Sequence, residues 1–577
     1  MQSITQDNEY KSESSPSPSP SGLRRPYKIF TSPSHQAFSI PDILEEILER
    51  SSDSARAVAA RLSSQWLDVA LEKLWKDLDS VLPLLKLISP LSGGGNTETI
   101  ISFTHALNDV DWSRFSAYAC RVRSIAWNDE GGVLSNEIFA QIFFQRPPTH
   151  PLLPRIETIT WTASKENTLI QLLPMVCNSL TTLKLRINAP CPAQAVTSTL
   201  KGLNDRGARL KNLDIQAWFN VGDIEIPLTA YLCDQWELRE VGLPQYYGTK
   251  EIVTVLGSLP KLEVLRTTNL LAEAELGMQW ELGEGTFSNL SSFGFNASLT
   301  MAKYIFSLHP FSRLSAISIT PPSANAAAND LGRFLVTLAS RCPRLSSVHF
   351  NLCQHPPEIP AFDVQELSPL FSLECMEVLE VDSRQPVVGI DRRFISEIAA
   401  VWPTFRRLRL TPEPTTGAIP EGGSPISILR DFAELFGASH PSFVSIGLYF
   451  SVNRGQFLNT QDIHTWPTLS ELHVGTSHLE ETDVLSVASF LGGICRPGVT
   501  IKAGRACTRI PVDPWGRALY PDEARMGERW KRTAETVKMI HTSMRPLRYA
   551  LEVSESEVAR ARARARAQTT LFGVAKF

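Results

Sequence analysis

The sequence predicts an α/β solenoid, a parallel-stranded horseshoe of stacked strand–helix units with the helices on its convex face. Three observations lead there. A spacing of apolar residue, two others, apolar, one other, apolar recurs thirteen times between Val122 and Val474, once with Thr267 in the third place, and with starts 24 to 38 residues apart. Between these strand-like pieces lie stripes at helical spacing, such as Leu331, Phe334, Leu335 and Leu338, each followed by a proline that turns the chain into the next strand. A single strand and helix cannot cover their own apolar faces, so each unit needs a neighbour stacked on it.

The segments follow in order. Residues 1–36 are polar and carry Ser-Pro steps at Pro16, Pro18 and Pro20. They hold too little apolar area to offset the entropy of ordering, which predicts a disordered tail. Residues 37–80 predict a small all-α domain. Pro41 suits a first helical turn, where its missing N–H has no partner to lose. Ile43, Leu44, Ile47 and Leu48 then recur on one helical face, Ser51 to Ser54 break the run, and Val58, Leu62, Trp66, Val69 and Leu74 continue it beside Trp75. Short helices of this kind expose more apolar surface than they can bury against each other, so they need another surface to pack on.

Residues 81–121 predict a helical linker or N-terminal cap. Lys76 to Ile88 is helix-compatible, Pro90 breaks it, Gly93-Gly94-Gly95 reads as flexible linker, and Phe115, Tyr118 and Ala119 share a further helical face. Residues 122–505 hold the repeats, whose spacing is the long end of the leucine-rich-repeat period. Insertions are expected at about 269–288 and 411–427, and Val499 to Ile501 is the last strand-like piece. Residues 506–577 contain Pro511, Pro514 and Pro521, then a highly charged run in which Arg560, Arg562, Arg564 and Arg566 alternate with alanines. Alternation spreads charge around a helix, which predicts a solvated, helical and partly disordered tail.

Two segments carry a resemblance. Ile40-Pro41-Asp-Ile-Leu44-Glu-Glu-Ile47-Leu48, a capped break, and Ala60-Arg61 through Trp66, Ala70, Leu74 and Trp75 resemble an F-box in the form common in fungal F-box/leucine-rich-repeat proteins. Trp112, Arg114, Phe115, Tyr118, Ala119, Val122 and Arg123 match a second stretch of the same family. The chain departs from it in carrying Leu62-Ser63-Ser64-Gln65 before Trp66, where the family usually has Val-Cys and a basic pair. The resemblance implies docking on a Skp1-type adaptor, and through it a cullin, with Pro41, Leu44, Ile47, Leu48, Trp66, Leu74 and Trp75 making the contact. It also implies that the reactive thioester cysteine of the reaction belongs to another subunit.

Composition narrows the remaining classes. A net charge of −4 argues against a general binder of nucleic acid or membrane surface, so neither is an expected partner. Nine scattered cysteines without a Cys-x-x-Cys pair suggest reduced thiols and a cytoplasmic or nuclear site. The N-terminus has no basic start followed by an apolar run, and no stretch of about eighteen apolar residues offers a membrane span. His464, His473 and His478 lack a second ligand pair at zinc spacing, so neither metal nor cofactor is expected. Cys353 and His355 form a thiol–imidazole pair in sequence, with nothing to supply an oxyanion hole. Catalysis by this chain is therefore not expected.

Side chains alternate along a strand, so the residues between the apolar positions face the concave groove. They include Lys184, Arg186, Asp214, Glu380, Arg407, Arg409 and His473. Mixed charge suits one specific protein partner more than an anionic polymer. The reading is a substrate-recognition subunit of a Skp1–cullin–F-box ubiquitin ligase, its repeats holding a target protein. A leucine-rich-repeat scaffold without ligase coupling is the alternative, and it expects residues 38–80 to cap the first repeat with Trp66 and Trp75 buried. A hydrolase using Cys353 and His355 is a third.

Overall fold

The computed structural model describes residues 40–504 and 526–543, apart from 94–99, 106, 108–111, 129–132, 146–150, 189–191, 218–221, 223, 245–246, 268–282, 284, 309–310, 322–327, 353–361, 384–385, 415–422, 438 and 453–464. The expected Ser/Pro tail, the pair Cys353 and His355, Gly94, Gly95 and the Arg/Ala run lie outside the described residues. The chain divides into two compact units, Met1–Lys76 and Asp77–Phe577. The boundary falls at residue 76 instead of the expected 80.

Among its described residues the first unit holds three helices, Pro41–Glu49 (α1), Asp53–Ala59 (α2) and Ser64–Lys76 (α3). Pro41 occupies the first turn of α1, as its sequence position requires. Ser52 caps α2 by accepting from the Ala55 N–H at 3.3 Å. The end of α1 is closed from outside: Arg56 donates to the Leu48 carbonyl at 2.7 Å and the Glu49 carbonyl at 2.9 Å, satisfying acceptors that have no helical partner. Leu48, Ala59 and Ala70 form the small core, with Ala60, Trp66 and Val69 packed against it. Lys73 fastens α3 to α1 by bonding Glu45 at 2.7 Å and Glu49. Donating to Glu45 and Glu49 raises the Lys73 pKa, and accepting from Lys73 lowers that of Glu49.

The second unit is built on one 15-stranded sheet whose strands are all parallel and paired in chain order. The strands are Asp77–Leu78 (β1), Ser124–Asn128 (β2), Thr158–Ala163 (β3), Thr182–Ile187 (β4), Asn212–Ala217 (β5), Glu240–Leu243 (β6), Val264–Thr267 (β7) and Ser292–Phe295 (β8), followed by Ala316–Ile319 (β9), Ser347–Leu352 (β10), Val378–Ser383 (β11), Arg407–Leu410 (β12), Ser445–Leu448 (β13), Glu471–Gly475 (β14) and Thr500–Ala503 (β15). Strands β2 to β14 coincide with the thirteen apolar triplets. The triplet residues are buried, as Leu183 and Leu185 in β4 or Leu379 and Val381 in β11 illustrate. Parallel neighbours need a crossover, and the stretches between strands supply it, mostly with helices. Among these are Arg392–Val401 (α4), Ile428–Phe436 (α5) and Val484–Ile494 (α6).

The predicted stripes lie in the core, and Leu331, Phe334, Leu335 and Leu338 are all buried. Aromatic rings join successive units: Phe432 and Phe443 stack on Trp466 with centroids 6.1 Å and 5.3 Å apart and planes within 5°. One crossover, Val364–Ser372, is a 3₁₀ helix, because Pro369 inside it has no N–H to continue an α-helical ladder. Hydroxyls stitch adjacent units where the chain enters the sheet. Ser291, Ser315 and Ser346 donate in turn to the carbonyls of Glu263, Ser291 and Ser315, at 3.1, 3.0 and 3.2 Å.

Three expectations need correction. Lys76 to Ile88 is not one helix. Lys76 ends α3, the next two residues pair with β2 as β1, and a helix resumes only at Leu82–Ile88. The segment 81–121 is not wholly helical either, since Leu91–Ser92 and Ile100–Phe103 pair antiparallel. Gly93 is the hinge of that hairpin, and with φ 83° a Cβ there would meet the Ile100 carbonyl oxygen at 2.4 Å, so it is constrained and not a loose link.

The third correction concerns the C-terminal run. Residues 526–543 form a helix (α7) packed on the last repeats, not a solvated tail. Trp530 is 0% exposed and donates through Nε1 to the Ser477 carbonyl at 2.8 Å. Arg529 reaches the Leu479 carbonyl at 2.8 Å, and Arg532 forks onto Glu481 at 2.6 Å. Further along, His541 Nε2 meets the Gly492 carbonyl at 3.1 Å. The charges of 526–543 are thus shared between solvent and a specific clamp. A capping element of this kind is what the open end of a stacked array needs.

Candidate functional site

Two surfaces have the character of recognition sites, one on each unit. On the helical unit, Leu44 is 0% and Leu48 2% exposed, so neither is available to an adaptor as expected. Trp66 packs on the small core, and Leu74 and Trp75 are half-buried. Pro41 and Ile47 are exposed. The apolar residues that do face solvent are Ile40, Ile43, Ile47, Val58, Leu62 and Leu67, with Ile43 and Ile47 at 37% and 36% and Leu62 at 66%. Ile40, Ile43 and Ile47 recur at steps of three and four, which puts them along one side of α1. Five apolar residues in that turn of sequence make both sides of the helix look like a core face. Periodicity alone therefore could not say which side is buried.

On the solenoid, the face of the sheet turned away from the crossovers carries the residues between the apolar positions. Register places them in rows. Thr160, Lys184, Asp214, Gly242, Arg266, Gly294, Ser318, His349, Glu380, Arg409, Gly447, His473 and Lys502 are successive partners from β3 to β15. Arg186 lies one row along, beside Gln216, to which it donates at 3.1 Å. Arg266 reaches over β6 to Asp214, two strands away, at 3.2 Å. The intervening position is Gly242, whose missing side chain leaves that lane open.

Towards the C-terminal end the row becomes a continuous polar network. Ser318 Oγ lies 3.2 Å from His349 Nδ1, and His349 Nε2 lies 3.3 Å from Asp382. Arg409 meets Asp382 at 3.2 Å and Glu413 at 3.5 Å, while Arg407 meets Glu380 at 3.3 Å. Burial raises the Asp382 pKa, but the His349 hydrogen bond and the Arg409 charge outweigh it and hold that carboxyl below its ordinary value. The Ser–His–Asp line has the residue types of a nucleophile relay. Ser318, however, sits inside a strand paired on both sides, so the amides around it are spent in the sheet and offer no oxyanion hole.

His473 was expected in the open groove and is instead 8% exposed by side chain. It is covered by Thr411–Pro414, which follows β12 and crosses towards β14. Thr411 turns with φ 44°, its N–H donating to the Val381 carbonyl at 2.6 Å. Pro412 offers its carbonyl to the Thr476 N–H at 3.1 Å. Gly475 makes room for it: its φ is 52°, and a Cβ there would stand 1.8 Å from the Pro412 oxygen. Glu413 then lies 3.0 Å from His473 Nε2. The sequence marked an insertion at 411–427, but local spacing carries no record of where an insertion lies.

The solenoid thus belongs to the leucine-rich-repeat class of α/β architecture, on the period of its strands, their parallel register and the buried triplets. No family model and no curated protein matches the chain. Among solved structures it is similar to one described as "Crystal structure of TLR13-ssRNA13 complex", at 12% identity and a TM-score of 0.29, over 71% of this chain and 56% of that one. The described residues contain no group of three or more His, Cys, Asp or Glu placed to hold a metal ion, and no helix long and apolar enough to cross a membrane.

Proposed function

We propose that the chain is a substrate-recognition subunit of a Skp1–cullin–F-box-type ubiquitin ligase. The helical unit docks on a Skp1-type adaptor and the open sheet face holds a target protein. The resemblance of residues 40–75 to an F-box motivates this, and one structural observation supports it. A small helical unit with its core already filled leaves Ile40, Ile43, Ile47, Val58, Leu62 and Leu67 in water. A surface of that kind calls for a covering partner. Such a subunit performs no bond-making itself. It acts by proximity, raising the effective concentration of a target lysine near a charged conjugating enzyme.

The test uses exposed positions, so that folding and docking separate. The full chain with Ile43→Asp and Ile47→Asp is co-expressed with a Skp1-type adaptor. Lost co-purification with an unchanged melting temperature is the expected result. Undiminished co-purification overturns the docking reading.

A further inference from the structure

We infer that the partner segment held by the N-terminal part of the sheet face is an extended peptide carrying carboxylates at alternate positions, with Lys184 and Arg186 as its counter-ions. The inference rests on the reading that the repeats hold a target, and it names the chemistry of that target.

The charge pattern of the face leads to it. Four other Lys and Arg side chains stand between the apolar positions of the described strands, and the chain itself supplies a carboxylate to each. Arg266 has Asp214, Arg407 has Glu380, Arg409 has Asp382 and Lys502 has Glu471, at 3.2, 3.3, 3.2 and 2.8 Å. Lys184 and Arg186 differ. Both are exposed, and neither lies within ion-pair distance of a carboxylate among the described residues. The acid beside Lys184 in its row, Asp214, pairs with Arg266, and the residue beside Arg186 is Gln216. Further along, the face is covered at His473, because Thr411–Pro414 crosses there and Glu413 already serves that side chain. The positive charge that lacks an ion pair of its own therefore sits at β4, beside Thr160 and Thr162 on one side and Asp214 and Gln216 on the other.

Spacing favours a peptide over a compact anion. Lys184 and Arg186 are two residues apart on one strand, so their Cα atoms are about 6.6 Å apart and their side chains rise side by side. A phosphate wants several donors converging on one point, whereas these two form a line. The Arg186 guanidinium is also turned sideways by Gln216. An extended peptide repeats its side chains on one face with the same period of about 6.6 Å, so acids at alternate positions meet both cations at once.

Anisotropy of fluorescein-labelled peptides with the full chain tests this. The probes are an alternating Ser-Glu octapeptide, a Ser dodecapeptide with Glu at every third position, an alternating Ser-phosphoserine peptide and oligouridylate. The alternating Ser-Glu peptide is expected to bind best, and more weakly as salt rises. Lys184→Glu with Arg186→Glu is expected to weaken it about tenfold or more, as two attractions become repulsions. Lys184→Gln with Arg186→Gln should fall between, and Arg393→Gln, on an exposed crossover helix, should change nothing. Equal binding by wild type and the double Glu variant overturns the inference, as does preference for the peptide with Glu at every third position, the phosphopeptide or oligouridylate. Adaptor co-purification is measured on the same variants. If it is kept while the peptide fails to bind, this inference alone falls. If peptide binds and the wild type does not capture the adaptor, only the ligase reading falls.

Discussion

Replacing Trp530 with alanine should loosen one end of the solenoid and leave the rest intact. The indole is fully buried, and its Nε1 bond to Ser477 has no solvent substitute. Deleting a buried tryptophan typically costs about 3–5 kcal/mol, including the cavity it leaves. In a stacked array each unit contacts only its neighbours, so the loss falls on the last repeats and not on the whole chain. Two buried thiols report this separately. Cys495 ends α6, the helix on which α7 packs through Gly492, and burial pushes its pKa to about 12. Cys342 lies in mid-array, and burial pushes its pKa to about 12 as well. Where alkylation waits on local opening, about 3–5 kcal/mol becomes roughly two to nearly four decades in rate. Iodoacetamide labelling followed by peptide mass spectrometry should show Cys495 accelerated on that scale in Trp530→Ala and Cys342 unmoved. Trp530→Phe, which keeps most of the burial, should show a small part of the effect. Equal acceleration at both cysteines, or none at Cys495, would refute the idea that α7 is a local clamp.

The other predictions concern the polar face, the crossing segment and the helical unit. Because the Asp382 pKa is held below its ordinary value, its contribution to stability is fully present above the ordinary carboxylate range and disappears as pH falls through the lower folded-state pKa. Urea midpoints taken from pH 6 to pH 3 should therefore fall less steeply in Asp382→Asn than in wild type. Gly475→Ala places a methyl group on the Pro412 oxygen and should displace the crossing segment, seen as faster modification of His473 by diethyl pyrocarbonate. Arg56→Ala removes the donors that close α1 and should destabilise the helical unit by about 1–3 kcal/mol, read from amide exchange across residues 41–50.

The strands were the most legible part of this chain, for a physical reason. A triplet such as Leu183, Leu185 and the preceding Leu180 records burial against the crossover of its own unit, and that burial repeats with the unit. The crossovers were legible through their closing prolines, as at Pro343 and Pro403. What escaped sequence reasoning was set by contacts between distant segments. Nothing local to Asp77 and Leu78 distinguishes a two-residue strand from one more helical turn, since pairing with Ser124 and Ile125 decides it. Trp530 looks like a lone aromatic in a charged helix until Ser477 and Gly492 are brought beneath α7. The open-face residues were found by alternation, but alternation could not tell Lys184, which stands in water, from His473, which lies under Glu413. The side of α1 left in water was hidden because Ile43, Leu44, Ile47 and Leu48 are equally greasy.

The strict chain order of the sheet bears on how the protein is made. Every strand of the long sheet finds its partners immediately before and after it in the chain, so a nascent polypeptide can add each turn of the coil to a finished surface as it leaves the ribosome. The exception is α7, which returns past β15 to the turn after β14 and to α6, so those earlier elements wait for Trp530 before they are covered. Vectorial growth therefore leaves the raw end of the stack uncovered until α7 has been made, and that interval is when a holdase would find the most apolar surface to hold.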